Sequence, residues 1–190
     1  MDSGTGNRGR RIARSAAATV TATAAIAVGL AGCTGSSARP TASAGTPTSP
    51  AKITLTSSAF EDNTGIPARF TCDATGSAVS PPLQWTGVPQ GTGWLALYAY
   101  DNTGSVIHWI VVNIKPTITN FPTGQDSGDE VAPYLPMCPG VGNTDQYQFT
   151  IYAEPASYKL PKIGASYAVD PNALAAHALA IGILDGVYTE

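Results

Sequence analysis

The sequence predicts a mainly β domain, an antiparallel β-sandwich with one or two short C-terminal helices. Three observations carry that reading. Short runs such as Ile53–Thr56 and Tyr147–Ala153 alternate apolar and polar residues, the period of a half-buried strand. The connections between such runs are rich in Pro and Gly, as at Ser80-Pro81-Pro82 and Val88–Gly93, which favours many short strands over long helices. At the centre, two apolar runs, Trp94–Tyr100 and Val106–Ile114, flank Asp101-Asn102-Thr103-Gly104, a composition suited to a tight turn. An antiparallel hairpin is expected there, with Asp101 closing one strand and His108 just inside the next.

In chain order, residues 1–32 read as a signal peptide. Arg8, Arg10, Arg11 and Arg14 form a basic start, and Ser15–Gly32 carries no charge. Leu30-Ala31-Gly32-Cys33 then resembles a bacterial lipobox, in which the Cys takes a diacylglyceryl (palmitate-type) anchor and becomes the new N-terminus. Residues 33–51 follow as the lipidated Cys33 and a Ser/Thr/Pro/Ala-rich tether with no apolar face to bury. Residues 52–190 form the folded domain. Such a chain is expected on the extracytoplasmic face of a bacterial cell membrane, lipid-anchored.

Within the domain, Ile53–Thr56 is the first strand. Asn63-Thr64-Gly65 turns the chain before an extended piece at Ile66-Pro67, and Leu83–Trp85 forms a short strand. Within the hairpin, Val106, His108, Ile110, Val112 and Ile114 share one parity. Tyr147–Ala153 places Tyr147, Phe149, Ile151 and Ala153 on one face. Asp170 before Pro171 is a helix-start signal, and Ala173, Leu174, His177, Ile181 and Leu184 fall on one helical stripe. A helix is therefore expected over residues 171–183. A turn at Asp185-Gly186 and a last short segment at Val187-Tyr188 should come after it.

Composition narrows function. Net charge is −3, and four arginines lie in the leader, so the mature part is distinctly acidic. Nucleic acid is excluded as a partner, because phosphate binding needs clustered Lys and Arg. Of three cysteines, Cys33 is committed to the lipid. Cys72 and Cys138 are left as a pair, and in an oxidising compartment a disulfide is the default. His108 and His177, the two histidines, show no ligand spacing with either Cys, so neither a metal nor a cofactor is expected.

Several blocks together resemble the phosphatidylethanolamine-binding protein family, in particular its bacterial Raf kinase inhibitor-like group. They are Ile66–Asp73, Ser80–Trp85, Val88–Thr92, Asp101 with His108–Ile114, Pro136–Gly140, Tyr147–Ala153, Ala176–Ala180 and Asp185–Tyr188. The resemblance implies a β-sandwich with a small rim pocket for an anion or phospholipid head group. On this chain the pocket's Asp and His match Asp101 and His108, its proline-rich wall matches Pro136 and Pro139, and its aromatic lid matches Tyr147. Two departures stand out. The family's Asp-Pro-Asp is Asp101-Asn102-Thr103 here, and its His-Arg-Tyr is Asp145-Gln146-Tyr147, so Asp145 stands where the second pocket histidine is usual. An ionised carboxylate accepts hydrogen bonds only and repels an anion. A cation, an amine or a neutral polar ligand is then favoured over phosphate.

Two functions are compatible with these residues. One is a membrane-anchored binding protein for a small polar ligand or phospholipid head group. The other is an interaction or inhibitor module for a secreted protein, protease- or kinase-inhibitor-like, with a vestigial pocket. Asp101, His108 and Asp145 could form an acid–base cluster, but no nucleophile elbow, metal motif or phosphate loop accompanies them, so the chain is read as a non-enzyme. The leader generates its own test. Cys33→Ala should abolish incorporation of radiolabelled fatty acid in cells, and equal labelling of both proteins would refute the anchor.

Overall fold

The computed structural model describes residues 50–190; the expected signal peptide, lipidated Cys33 and tether up to Ser49 lie outside the described residues. The strands are β1 (Ala51–Lys52), β2 (Thr54–Thr56), β3 (Thr64–Gly65), β4 (Leu83–Thr86), β5 (Thr92–Asp101) and β6 (Val106–Ile114). They continue with β7 (Asn120–Phe121), β8 (Asp129–Ala132), β9 (Thr144–Pro155), β10 (Lys162–Ile163), β11 (Ser166–Tyr167) and β12 (Ala180–Thr189). One helix, α1 (Pro171–His177), precedes β12, and a single 3₁₀ turn covers Ala68–Phe70. Ala51, at the start of β1, pairs with Ala180 of β12.

A seven-stranded sheet runs β1-β12-β9-β5-β6-β8, with β3 also on β12. A three-stranded sheet, β2-β4-β7, lies over one of its faces. Leu55, Leu83, Trp85 and Phe121 of the small sheet share one core with Leu95, Leu97, Trp109, Val111, Phe149 and Ile151 of the large one. The ring of Trp109 meets that of Phe121 across the interface at 5.7 Å. The main-β expectation holds, with one difference: the large sheet is mixed, because β1 and β3 run parallel to β12.

The other face of the large sheet is also covered. Trp94, Ala96, Tyr98, Ile110, Val112 and Tyr152 pack with Leu174 of α1, and Tyr158 and Tyr167 lie against them. Central strands buried on both faces need apolar residues at successive positions. That is why Trp94–Ala99 reads as a continuous run instead of an alternation.

The expected hairpin forms, but β6 does not keep one parity. Against β5, His108 is an extra residue between Ile107 and Trp109, and a second extra residue falls between Val111 and Ile114. Asn113 takes the left-handed conformation there (φ 54°). Each bulge reverses the facing of the residues after it. Trp109, Val111 and Ile114 therefore reach the inter-sheet core, and Ile110 and Val112 the opposite face.

The expected helix over residues 171–183 is corrected. Asp170 does cap it, accepting from the Asn172 amide at 2.9 Å, and Pro171 follows as expected. The helix nevertheless stops at His177, and residues 180–189 form β12, paired with β9 over ten residue positions. The segment carries a second period that the helical reading overlooked. Ala180, Gly182, Leu184 and Gly186 alternate inward along the strand. The expected turn at Asp185-Gly186 lies inside this strand. Gly186 is required by packing, since a Cβ there would come within 2.6 Å of Ile66 Cγ1.

Cys72 and Cys138 form the disulfide, with Cα atoms 5.4 Å apart. Parallel backbone contact between Thr71 and Met137, and a bond from the Cys72 amide to the Met137 carbonyl at 3.1 Å, hold the two loops together.

Glu154 is an anomaly in the second core. It is 0% exposed, and among the described residues neither carboxylate oxygen has a hydrogen-bond partner. Burial pushes its pKa up to about 7. The folded state thus holds a proton that the unfolded chain, titrating near 4.5, has already released. Stability from this site is full below pH 4.5 and declines as pH rises through about 7.

The buried carboxyl and the disulfide can each be tested. The unfolding free energy of the wild type, from denaturant titrations, should fall between pH 5 and pH 8 by about 2 to 3 kcal/mol. Glu154→Gln should flatten that fall, and parallel wild-type and mutant profiles would contradict the assignment. Separately, a thiol titration of the unfolded, unreduced protein should find neither Cys72 nor Cys138 free. Reduction should cost about 4 kcal/mol on the chain-entropy model, and unchanged stability after reduction would count against the bridge as a structural element.

Candidate functional site

The site is built where β5, β6 and β9 end together. Asp101, the last residue of β5, is 3% exposed. Its Oδ1 accepts from the Thr103 amide at 2.7 Å and the Gly104 amide at 2.8 Å, and its carbonyl accepts from the Ser105 amide at 2.9 Å. The carboxylate is thereby bound into its own turn, as Asx turns are. Gly104 is needed for this, because a Cβ there would lie 2.5 Å from Asp101 Oδ2.

Two bonds tie the hairpin tip to β9. The Asn102 amide donates to the Gln146 carbonyl at 2.9 Å, and the Gln146 amide donates to Thr103 Oγ1 at 3.0 Å. Thr103 stands where the related pattern has a second Asp, and here its hydroxyl serves as an anchor.

The bulge at His108 turns its imidazole toward β9. Nδ1 lies 2.9 Å from the Leu135 carbonyl, and the Leu135 amide donates back to the His108 carbonyl at 2.7 Å. A carbonyl only accepts, so Nδ1 carries the proton. In the neutral ring Nε2 is then an acceptor, and in the imidazolium both nitrogens donate.

Tyr147 stands directly opposite Asp101 in the β5–β9 ladder and meets the His108 ring edge-on at 5.1 Å. It is 1% exposed, so it forms a buried wall and not the expected lid. Its hydroxyl is buried without a partner in hydrogen-bonding geometry. Burial raises its pKa first, followed by the charges of Asp101 and Asp145, with the Cys138 backbone acting weakly the other way.

Asp145 sits two residues before Tyr147 on β9, partly buried. Its pKa is raised by desolvation, then by the charge of Asp101 and by a hydrogen bond with that carboxyl; His108 lowers it. Asp101, His108, Asp145 and Tyr147 are therefore one electrostatic cluster.

Pro136 and Pro139 lie on the neighbouring loop, Pro136 partly buried and Pro139 buried. That loop is fixed by Met137 in the core and by the disulfide at Cys138. Sequence reasoning missed the Leu135 carbonyl, which sets the tautomer of His108. It also missed the pair formed by Tyr188, opposite Asp145, which donates to Asp73 Oδ2. No residue-type pattern announces a backbone acceptor. The Tyr188–Asp73 contact depends on reading residues 180–189 as a strand.

Asp101 and His108 thus lie on the adjacent strands β5 and β6 at one rim of a mainly β fold. The chain belongs to the phosphatidylethanolamine-binding protein family, whose model matches residues 56–189. A UPF0098 protein of Methanothermobacter thermautotrophicus is 34% identical over 154 residues, covering 72% of this chain and 98% of the relative. One of Chlamydia muridarum is 30% identical over 149 residues, again covering 72% and 98%. Among solved structures, Escherichia coli YbcL, described as a new member of the mammalian family, aligns with a TM-score of 0.61 at 27% identity, covering 74% of this chain and 99% of that one. The homologue CT736 of Chlamydia trachomatis aligns with a TM-score of 0.60 at 28% identity, covering 73% and 98%. The matched region makes up almost the whole length of these four relatives.

Proposed function

We propose that this protein is a lipid-anchored, extracytoplasmic binding protein of a bacterial membrane. Its rim site at Asp101, His108, Asp145 and Tyr147 takes a small polar or amine-bearing ligand in preference to a phosphate, with no chemical step. One observation carries this reading: two carboxylates, Asp101 and Asp145, close enough to raise the pKa of Asp145, face a single imidazole.

Near neutral pH such a cluster offers acceptors. Asp101 Oδ1 is already saturated by two amides, which leaves Oδ2, the Asp145 carboxylate and, in neutral His108, Nε2 to receive N–H or O–H donors. A phosphate would need donors where these residues present negative charge. The membrane location rests on the basic leader and Leu30–Cys33. Among the described residues no helix is long and apolar enough to cross a membrane.

A second reading, an inhibitor-like module that docks another protein, is favoured by one feature. Val106, Ile107, Leu135 and Val141 are large apolar side chains left exposed on the segments that carry the site. A partner covering the rim would bury them.

Calorimetric titration of the domain, residues 50–190, separates these ideas. Phosphate and phosphorylethanolamine should bind at millimolar dissociation constants or weaker at pH 7, about −4 kcal/mol or less favourable. Asp145→His should tighten both, by removing a repulsive charge and adding a donor. Wild-type affinity for phosphate should also rise as pH falls from 7 to 5, because Asp145, its pKa raised by desolvation and by Asp101, takes up a proton early and loses its repulsive charge. Micromolar phosphate binding by the wild type at pH 7 would overturn the charge argument. No gain in Asp145→His would shift weight to the inhibitor-like reading.

A further inference from the structure

On the outer face of the large sheet, away from the rim cluster, lies a cavity of about 300 Å³ lined by Tyr98, Tyr100, Gln148, Thr150, Tyr152 and Pro171. We infer that this cavity is a second binding site, for a neutral hydroxylated ring such as the end of a saccharide chain.

Its chemistry is the argument. None of the six lining side chains is charged at neutral pH. Burial, the first cause in both cases, holds the phenols of Tyr98 and Tyr152 above their ordinary range, so they stay neutral. Five of the six carry a neutral hydrogen-bonding group, and three of those also carry an aromatic ring. Hydroxyls and amides that both donate and accept suit a polyol, whose own hydroxyls do the same. Ring faces suit the C–H surfaces of a pyranose.

The ladder fixes these groups in place. Tyr98 and Tyr100 project from one face of β5, opposite Thr150 and Gln148 of β9. Their rings lie side by side, with centroids 6.1 Å apart and planes 34° from each other. Two adjacent rings at a shallow angle form a platform, whereas an ammonium cage needs faces turned inward from several sides. Of the carboxylates nearby, Glu154 is fully buried and two others are engaged by hydrogen bonds. Asp185 Oδ1 accepts from Gln148 Nε2 at 3.0 Å, which orients that amide, and Asp170 Oδ1 caps α1. Among the described residues no hydrogen bond engages the hydroxyl of Tyr98 or Tyr100. The volume falls at the small end for ligand clefts and suits a chain end more than a long segment.

The test is a two-dimensional NMR titration of the ¹⁵N-labelled domain, residues 50–190, with N-acetylglucosamine, glucose and their β-linked disaccharides, and with choline as the cationic comparison. At least one saccharide should shift the Gln148 side-chain amide and the backbone amides of Tyr98–Tyr100 and Gln148–Tyr152, with millimolar affinity and no shift at His108. Tyr100→Ala, at a half-buried position, should weaken binding at least tenfold while keeping native shift dispersion. Gln148→Leu supplies a second variant, also expected to weaken binding, should Tyr100→Ala not fold. The inference is overturned if no saccharide in the panel shifts these resonances at 100 mM (roughly a hundredfold above a dissociation constant of about 1 mM). It is equally overturned if choline shifts them and the saccharides do not, or if a folded variant binds as the wild type does.

Discussion

The register between β5 and β9 is the constraint on which the rest depends. In that ladder Asp101 faces Tyr147, Ala99 faces Phe149 and Leu97 faces Ile151. A slip of one residue would exchange the two faces of both strands. It would send Phe149 and Ile151 away from the inter-sheet core and separate Asp101 from the wall formed by Tyr147. The same ladder is buried on both sides, so neither strand can change partners without opening two cores. The cross-links from Asn102 and Thr103 to Gln146 lock the register at the end where the site lies.

Local chemistry controlled the features that were legible in the sequence. The hairpin followed from two apolar runs around a turn composition, the face of β9 from its alternation, and the helix start from Asp170-Pro171. The concealed features were decided at a distance. Residues 180–189 satisfy both a helical and a strand period. Ten pairings with β9 decided between them, with the glycines at 182 and 186 as the missed clue. Neither β6 bulge has a local signature strong enough to read, although Asn113 is a residue type that tolerates positive φ. The pair Asp101 and His108 was legible. The burial of Tyr147, the role of the Leu135 carbonyl and the isolation of Glu154 were not, because each depends on which segments cover that residue in space.

Within its family frame, this chain keeps the architecture of the rim and alters its charge. The Asp101 carboxylate accepts from two amides of its own turn. Asp145, where the related pattern has a histidine, has its pKa raised by desolvation and by the nearby charge of Asp101. Fold and activity are separable in this way: on the proposed reading a single position sets which ligands the rim tolerates, on a sheet that keeps the family architecture.

The parallel strands β1 and β3 have a consequence for how the molecule behaves among its neighbours. The outer side of β12 would otherwise offer an open row of amides and carbonyls to any extended chain, the usual route to sheet-to-sheet association. Here β1 closes one end at Ala180–Ile181 and β3 the other at Gly186–Val187. Between them the Ile53 amide takes the Ile181 carbonyl, the Asn63 amide takes the Asp185 carbonyl, and Asp62 Oδ1 receives the Asp185 amide at 2.9 Å. A carboxylate thus stands in for a missing strand. Copies crowded together would find little exposed backbone along this side with which to polymerise.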